Sequence, residues 1–148
     1  MKLEIENKTQ LQISEKEINK VVIATTELLQ LPENVSVTIL FVDEEEIKKI
    51  NSWTRKIDKV TDVLSFPMQE MTDLKEDVEG NIFLGDIVVC PGYALVNASK
   101  EGRKAENEMI FLVVHGLLHL CGYDHDVENR QAEMEVMTNK IINYFAQS

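Results

Sequence analysis

The sequence predicts an α+β (mixed α/β) fold, in which a roughly four-stranded mixed sheet packs with about five helices in a single domain, residues 1–148. Four short segments carry the apolar patterns of strands, and longer segments with helical spacing of apolar residues lie between them. A length of 148 residues suits one hydrophobic core. A hydrophobic content of 44% and a charged content of 28% are typical of globular proteins and exclude a disordered chain.

The first part of the chain predicts a strand, a helix and a second strand. Residues 2–5 alternate polar and apolar side chains, which indicates a half-buried edge strand. Ser14 and Glu17 form a capping box at the start of a helix that Pro32 stops. Residues 35–42 are apolar or β-branched at nearly every position, so we expect a strand that is covered on both faces.

The middle of the chain predicts a short helix, a brief strand and two loops. Asp43 caps the helix, residues 54–62 are expected to form a loop, and residues 63–66 form a strand that Pro67 ends. Residues 69–81 are rich in acidic side chains and predict an exposed loop. The predicted buried side of the helix consists of Ile47, Ile50 and Trp53.

The last part of the chain predicts one strand and three helices. The strand covers residues 82–90, with Gly85 as a bulge or a point of close approach. Pro91 suits the first turn of a helix that reaches residue 100. Residues 105–121 form a largely apolar helix that must lie in the core, and residues 127–145 form the last helix. The predicted buried side of the last helix consists of Met134, Met137, Ile141 and Tyr144.

The charge and cysteine content restrict the class of protein. Fifteen basic against 26 acidic residues give a net charge of −11, which disfavours bulk attraction to nucleic acid or anionic lipid. Cys90 and Cys121 are too few for a disulfide scaffold and are expected to be buried thiols, so we expect a cytoplasmic protein. We find no export signal, and the longest apolar tract, residues 109–122, is shorter than the roughly 20 residues of a spanning helix.

The three histidines of the chain, His115, His119 and His125, fall within eleven residues. His115 and His119 are four residues apart, so their imidazoles lie on one face of a helix and can share a metal ion. Gly122 suits the left-handed residue that ends this helix, and the turn after it would bring His125 to the same point. A lone histidine on an apolar helix is usually structural, but three at this spacing favour a metal site. Three nitrogen ligands leave a fourth position open, as in catalytic zinc sites.

The histidine spacing is also that of the metzincin pattern H-E-x-x-H-x-x-G-x-x-H, which predicts a zincin-like metal helix. Gly116 stands where those peptidases carry the glutamate that acts as general base. Imidazole ligands favour one zinc ion per chain over magnesium or calcium, whereas nickel, copper and iron remain open. Such an ion can lower the pKa of a bound water toward about 7 and attract the oxygens of a phosphodiester.

HGLLHLCGYDH, residues 115–125, resembles the signature H-G-x-L-H-L-x-G-Y-D-H of the YbeY family of endoribonucleases. Residues 51–67 resemble the family stretch N-x-x-x-R-x-x-D-x-x-T-D-V-L-S-F-P, and residues 84–87 match its L-G-D-I strand. The blocks occur in the family's order and span most of the chain from about residue 40 to residue 126.

The resemblance implies a zinc-dependent, single-strand-specific endoribonuclease that acts in maturation of the 3′ end of small-subunit (16S) rRNA and in ribosome quality control. It implies that zinc is held by His115, His119 and His125, and that Arg55 is the functional, catalytic arginine beside the metal. The implied partners are single-stranded RNA or rRNA, the small ribosomal subunit and ribosome-associated proteins. We expect neither a membrane nor DNA as a partner.

Arg55 also has a physical reason to act in such a site. A guanidinium group matches two phosphate oxygens and stabilises charge on a transition state, although a solvated loop arginine is the alternative. Two short segments, 48–59 and 100–104, would form a basic groove if both faced the zinc, and two solvated faces are as plausible. We see no aromatic-rich stretch of the kind that single-strand binders use. The basic residues are Lys48, Lys49, Arg55, Lys56, Lys59, Lys100, Arg103 and Lys104.

The sequence leaves two other functions open: a non-catalytic ribosome assembly factor stabilised by zinc, and a small metallopeptidase in which another carboxylate replaces the missing glutamate. It also leaves open whether water or the ribose 2′-OH attacks the phosphate. We expect Asp62, Asp86 and Asp124 to form caps or to orient a histidine rather than to act as bases. Cys121 lies about 200° round the helix from His119 and should point away from the metal.

Overall fold

The computed structural model describes residues 2–123 and 128–146. Within them the chain forms four strands and five helices in the predicted order, which confirms the α+β fold class with its mixed sheet. The elements are β1 (Lys2–Asn7), α1 (Glu15–Leu28), β2 (Val35–Phe41), α2 (Glu44–Arg55), β3 (Val63–Pro67), β4 (Ile82–Val89), α3 (Pro91–Lys100), α4 (Ala105–Leu120) and α5 (Glu128–Ala146).

The sheet has the strand order β1-β2-β4-β3. β1 pairs with β2 in parallel, β2 pairs with β4 in parallel, and β3 runs antiparallel to β4. β1 is therefore an edge strand, as its alternating sequence predicts, and β3 forms the opposite edge. None of the helices in the described part of the chain is long and apolar enough to cross a membrane.

The main core lies on one face of the sheet, and the sequence prediction for β2 needs a correction here. Residues of β2 alternate between fully buried and half-buried, so one face alone is completely covered. The covered face packs against α1, α4 and α5. The other face carries a smaller cluster around α2, composed of Val42, Ile47, Leu64, Val88 and Cys90. Because α2 covers only part of this face, Ser36, Thr38 and Leu40 of β2 on that side are only half-buried.

Gly85 brings three elements close together, as the sequence suggests. Its φ of +142° lies in a region that favours glycine, and the pairing register of β2 and β4 shifts beside it, between Ser36 and Val37. A Cβ atom at Gly85 would collide with the carbonyl oxygen of Phe66 and with the side chain of Leu120. This glycine therefore lets β3 and α4 approach β4 at the end of the sheet where the histidines lie.

The structure corrects two predictions for α2. Trp53 is 78% exposed, whereas Ile47 and Asn51 are buried, so the buried face contains Asn51 and not Trp53. Asn51 is held there because its side-chain amide donates a hydrogen bond of 3.0 Å to the carbonyl of Lys59. Arg55, expected in a loop, is the last residue of the helix, which the left-handed residue Lys56 closes.

The predicted buried side of α5 holds in part. Met134 and Ile141 are fully buried, and Met137 is half-buried in the main core. Tyr144 is 40% exposed and was wrongly expected in the core. Its hydroxyl donates a hydrogen bond of 2.8 Å to the carboxylate of Glu27 on α1, which raises the pKa of the phenol. The polar end of the ring therefore stays at the surface.

Candidate active site

The C-terminal end of α4 has the geometry that its sequence predicts. Gly122 has a φ of 92°, and its N–H donates to the carbonyl of His119 at 3.0 Å. The N–H of Tyr123 donates to the carbonyl of Leu118, also at 3.0 Å, which completes a Schellman motif. The chain therefore turns back directly after the second histidine. His125 lies in residues 124–127, outside the described residues.

His115 and His119 meet at one point. Their Nε2 atoms are 3.1 Å apart, and their ring centroids are 4.6 Å apart with an interplanar angle of 74°. Two nitrogens bound to one tetrahedral zinc ion at about 2.0–2.1 Å would lie about 3.3 Å apart, so the pair fits a shared metal ion. The same distance also permits a hydrogen bond between the two imidazoles. The ring of Phe111 stacks beside His115, with centroids 6.1 Å apart, and restricts its orientation.

The two histidines alone do not make a complete metal site. The part of the chain that the structure describes contains no group of three or more histidine, cysteine, aspartate or glutamate side chains placed to hold a metal ion. The third ligand that the sequence predicts is His125, whose position is not described. The two described nitrogens are therefore the observation on which metal binding rests.

A cavity of about 870 Å³ opens beside the histidine pair. His115 and His119 of α4 form one wall, and Arg55 of α2 lines the same cavity. Ser65 of the edge strand β3 lies between these two helices. The site is thus built at the edge of the sheet, where elements from its two faces come together.

Arg55 reaches the cavity from the opposite face of the sheet. Its Nη2 donates a hydrogen bond of 3.1 Å to the carbonyl of Ser65, and its guanidinium carbon lies 6.0 Å from the centroid of the Phe66 ring. These contacts fix the side chain across β3, while the residue as a whole remains exposed. One hydrogen bond occupies one of the five guanidinium N–H groups, which leaves donors for a phosphate.

Gly116 explains why the peptidase glutamate is missing. A Cβ atom at this position would lie 2.7 Å from Cγ2 of Ile87 in β4, closer than real Cβ contacts. α4 packs against the sheet through this glycine, so a longer side chain there would push the metal helix away from β4. The packing that brings the histidines to the cavity therefore disfavours a glutamate at residue 116.

Two carboxylates line the cavity instead. Asp62 precedes β3, and its carbonyl accepts a hydrogen bond of 2.8 Å from the N–H of Cys90. Glu70 belongs to the acidic loop after β3, which folds back over the cavity together with Gln69 and Thr72. The sequence predicts this loop only as an exposed segment, because no local pattern shows that it returns to the histidines.

The other aspartates and Cys121 differ from expectation in part. Asp86 accepts a hydrogen bond from the hydroxyl of Thr38 on β2, so it ties two strands together rather than capping a turn or orienting a described histidine. Asp124 lies outside the described residues. Cys121 is among the residues that line the cavity, and its side chain also packs against the main core. Burial raises the pKa of this thiol to about 11, so it is protonated at neutral pH.

The two basic segments do not combine into one groove. Of their eight basic residues, Arg55 alone is among the described residues that line the cavity. In the second segment, Arg103 forms two hydrogen bonds of 2.7 and 3.1 Å with Glu108, which is 3% exposed, and pairs with Glu101 as well. The guanidinium N–H groups are bound by these two carboxylates, so this arginine stabilises the start of α4.

The chain is similar to a family model and to relatives that carry the same name. The family model for endoribonuclease YbeY matches residues 2–146. Proteins named endoribonuclease YbeY are 41% identical over 132 residues in Thermoanaerobacter sp. (strain X514), which covers 81% of this chain and 83% of the relative. The relative from Macrococcus caseolyticus is 42% identical over 129 residues, which covers 87% of this chain and 84% of that protein.

A more distant relative and a solved structure agree with these matches. Endoribonuclease YbeY from Bifidobacterium animalis subsp. lactis is 32% identical over 145 residues, covering 98% of this chain and 80% of the relative. The solution structure of a Thermotoga maritima protein matches with a TM-score of 0.66 and 30% identity over 97% of this chain and 88% of that chain. The chain therefore belongs to the endoribonuclease YbeY family, which confirms the family that its motifs resemble.

Proposed function

We propose that this chain is a zinc-dependent endoribonuclease that cleaves single-stranded RNA during maturation of the small-subunit rRNA in the cytoplasm, acting as one domain, residues 1–148. Membership of a family named for endoribonuclease activity supports the hydrolase class and an RNA substrate. The single observation that carries the site is the meeting of two histidine nitrogens, 3.1 Å apart, in a cavity that Arg55 also lines.

In this proposal, zinc is held by His115, His119 and His125. A zinc ion with three neutral ligands supplies a Lewis acid that polarises a phosphate oxygen and lowers the pKa of a bound water. The separation of the two described nitrogens fits this donor set. Protonation of the histidines competes with metal binding, so the site would lose its ion in mildly acidic solution.

Arg55 has the role of binding the phosphate in this proposal. Its guanidinium is anchored on the carbonyl of Ser65, so it does not have to be ordered when the RNA arrives. The donors that this anchor leaves can bind two oxygens of the scissile phosphate and stabilise the additional negative charge of the transition state. The described carboxylates that line the same cavity are those of Asp62 and Glu70, and either could serve as a general base.

RNA cleavage is favoured over peptide hydrolysis by the surroundings of Gly116. The glutamate that acts as general base in metallopeptidases of this helical type is absent, and a Cβ atom at residue 116 would already overlap Ile87. A cavity that combines imidazoles with an arginine instead suits an anionic phosphodiester. The small ribosomal subunit, together with ribosome-associated proteins, is the proposed setting of the reaction, on the basis of the motif resemblance.

Metal analysis combined with an RNA-cleavage assay tests this proposal. The wild-type chain should carry about one equivalent of zinc and cut single-stranded RNA in a chelator-sensitive manner. His119→Ala should lose both properties, because two remaining nitrogens hold zinc weakly. Cys121→Ser is the matched control for the metal measurement, since this thiol lines the cavity but is not a proposed ligand, and its zinc content should equal that of the wild type.

Three results would contradict the proposal. Full zinc content in His119→Ala would show that His119 is not a zinc ligand. Loss of zinc in Cys121→Ser would show that the thiol of Cys121 is a ligand. Cleavage of a peptide library by a chain that leaves RNA intact would favour the metallopeptidase. Normal rRNA maturation in cells that carry a folded, zinc-loaded Arg55→Ala chain would favour a non-catalytic assembly factor.

A further inference from the structure

The exposed tryptophan on α2 is not explained by the fold. Trp53 is the one tryptophan in the sequence and is 78% exposed. No other aromatic ring or cation among the described residues contacts its indole. Large aromatic side chains left in solvent are unfavourable for solubility and are enriched at binding sites. A ligand that stacks on the indole would remove this apolar surface from water.

The neighbours of Trp53 carry positive charge. Lys49 lies one helical turn before it, and Lys56 and Ile57 follow at the end of the helix with exposed side chains. We call these four residues, Lys49, Trp53, Lys56 and Ile57, the Trp53 surface. Lys49 forms an ion pair of 3.7 Å with Glu45, whereas Lys56 makes no ion pair with any other described residue. In a chain of net charge −11, this end of α2 is a local basic surface with an aromatic centre.

The Trp53 surface lies on the other side of α2 from the cavity. Trp53 and Arg55 are two residues apart, which corresponds to about 200° round a helix, and Arg55 points across β3 into the cavity. A helix with its side chains is about 10 Å wide, so a strand that continued from Arg55 round the C-terminal end of α2 would reach the indole within a few nucleotides. Lys56 and Ile57 follow the helix at this end.

We propose that the Trp53 surface is a second RNA subsite outside the cavity, at which a base of single-stranded RNA stacks on the indole while the lysines contact its phosphates. Stacking on an aromatic face with nearby cations is the usual way in which proteins bind single strands without reading their sequence. This inference rests on the proposed function. RNA is favoured over an acidic protein segment because, in that function, RNA already occupies the cavity that Arg55 of the same helix lines. The sequence has no aromatic-rich stretch and so does not predict a stacking contact. The exposed indole of Trp53 would provide one.

The emission of Trp53 tests the subsite directly, because no other tryptophan contributes to the signal. Titration of the full zinc-loaded chain with an oligouridylate of about twelve nucleotides should quench and shift this emission. An abasic phosphodiester strand of the same length keeps the charges but has no bases, and should leave the emission unchanged. An acidic peptide, polyglutamate, tests the alternative occupant.

Binding and cleavage by variants provide the second test. Trp53→Ala should bind the long oligonucleotide roughly 5- to 100-fold more weakly, and Trp53→Phe should recover part of this loss. The weaker binding should appear as a higher KM for cleavage. The ratio of the affinities for the long strand and for a dinucleotide should fall, because only the long strand reaches α2. The matched control is Val96→Ala, which removes another exposed apolar side chain, on α3, and should leave both constants unchanged.

The outcomes separate this inference from the proposed function. Quenching by oligouridylate and not by the abasic strand supports the subsite, whether or not the RNA is then cut. Cleavage without quenching, or equal quenching by both strands, overturns the subsite and leaves the nuclease proposal intact. Quenching by polyglutamate and not by RNA overturns it in favour of a protein-docking surface.

Discussion

The two helices that supply the candidate site differ in how the protein holds them. α4 is surrounded by the main core, and Leu112, Val113, Leu117 and Leu118 are at most 2% exposed. α2 rests on a smaller cluster through Ile47 and leaves most of its surface in solvent. The histidines are thus positioned by a buried helix, whereas Arg55 is positioned by one hydrogen bond across an edge strand.

This difference indicates how the two halves of the site divide their tasks. A metal site needs ligands fixed to within fractions of an ångström, and a helix packed on several sides provides this rigidity. A group that binds a flexible RNA strand has to be accessible, and a helix on the open face of the sheet provides this access. Variants on the two helices should therefore affect different quantities.

The largest effect is expected for Arg55. Arg55→Ala should lower kcat for RNA cleavage by about 100- to 1000-fold, because it removes the donors that stabilise charge on the phosphate. Zinc content and thermal stability should stay at their wild-type values, since the residue is exposed. Arg55→Lys should restore little activity, because an ammonium group does not bind two oxygens in a fork. Steady-state kinetics, metal analysis and thermal unfolding measure these three quantities. A loss of zinc in Arg55→Ala would show that α2 also supports the metal site.

The next effect contrasts two residues of α2. Ile47→Ala should lower the free energy of unfolding by about 2–5 kcal/mol, because it removes a fully buried side chain from the smaller core. Trp53→Ala should change it by less than about 0.5 kcal/mol, because the indole is exposed. Urea unfolding of both variants measures the difference. A large loss of stability in Trp53→Ala would mean that the tryptophan packs against the fold and would remove the motive for a second subsite.

A smaller effect is expected where α4 meets the sheet. Gly116→Ala should lower the free energy of unfolding by about 1–3 kcal/mol, because its new methyl group overlaps Ile87. The double variant Gly116→Ala with Ile87→Ala should lose less than the sum of the two single losses, since Ile87→Ala removes Cγ2 and the other side-chain atoms that the new methyl group overlaps. Chemical unfolding of the four chains of this cycle measures the coupling. Strict additivity would show that the two residues are not in contact.

The smallest effect is expected at the end of α4. Gly122→Ala places a Cβ atom in the left-handed conformation and should lower the free energy of unfolding by about 1–2 kcal/mol. A Cβ atom there has room, with Cγ of Met71 as its nearest neighbour at 3.9 Å, so the loss reflects backbone conformation alone. Gly80→Ala is the matched control, because Gly80 also has a positive φ and open space but lies in the acidic loop. Both variants should lose similar stability, and only Gly122→Ala should weaken zinc binding.

The sequence by itself determined the features that depend on neighbours along the chain. The capping of α1 by Ser14, the end of α4 at Gly122 and the shared face of His115 and His119 follow from helical periodicity and from the conformational freedom of glycine. Family membership was also accessible at this level, because its motifs are short contiguous segments.

Only the tertiary structure decided which side of α2 is buried, how the acidic loop returns to the cavity, and that Arg55 crosses β3 to reach the histidines. Trp53 has the hydrophobicity of a core residue, but Asn51 occupies the buried face, where its side-chain amide donates a hydrogen bond to the carbonyl of Lys59, outside the helix. Local periodicity specifies how a helix is patterned. It does not specify which distant elements the helix will pack against. Burial against those elements and hydrogen bonds to them fix the final arrangement.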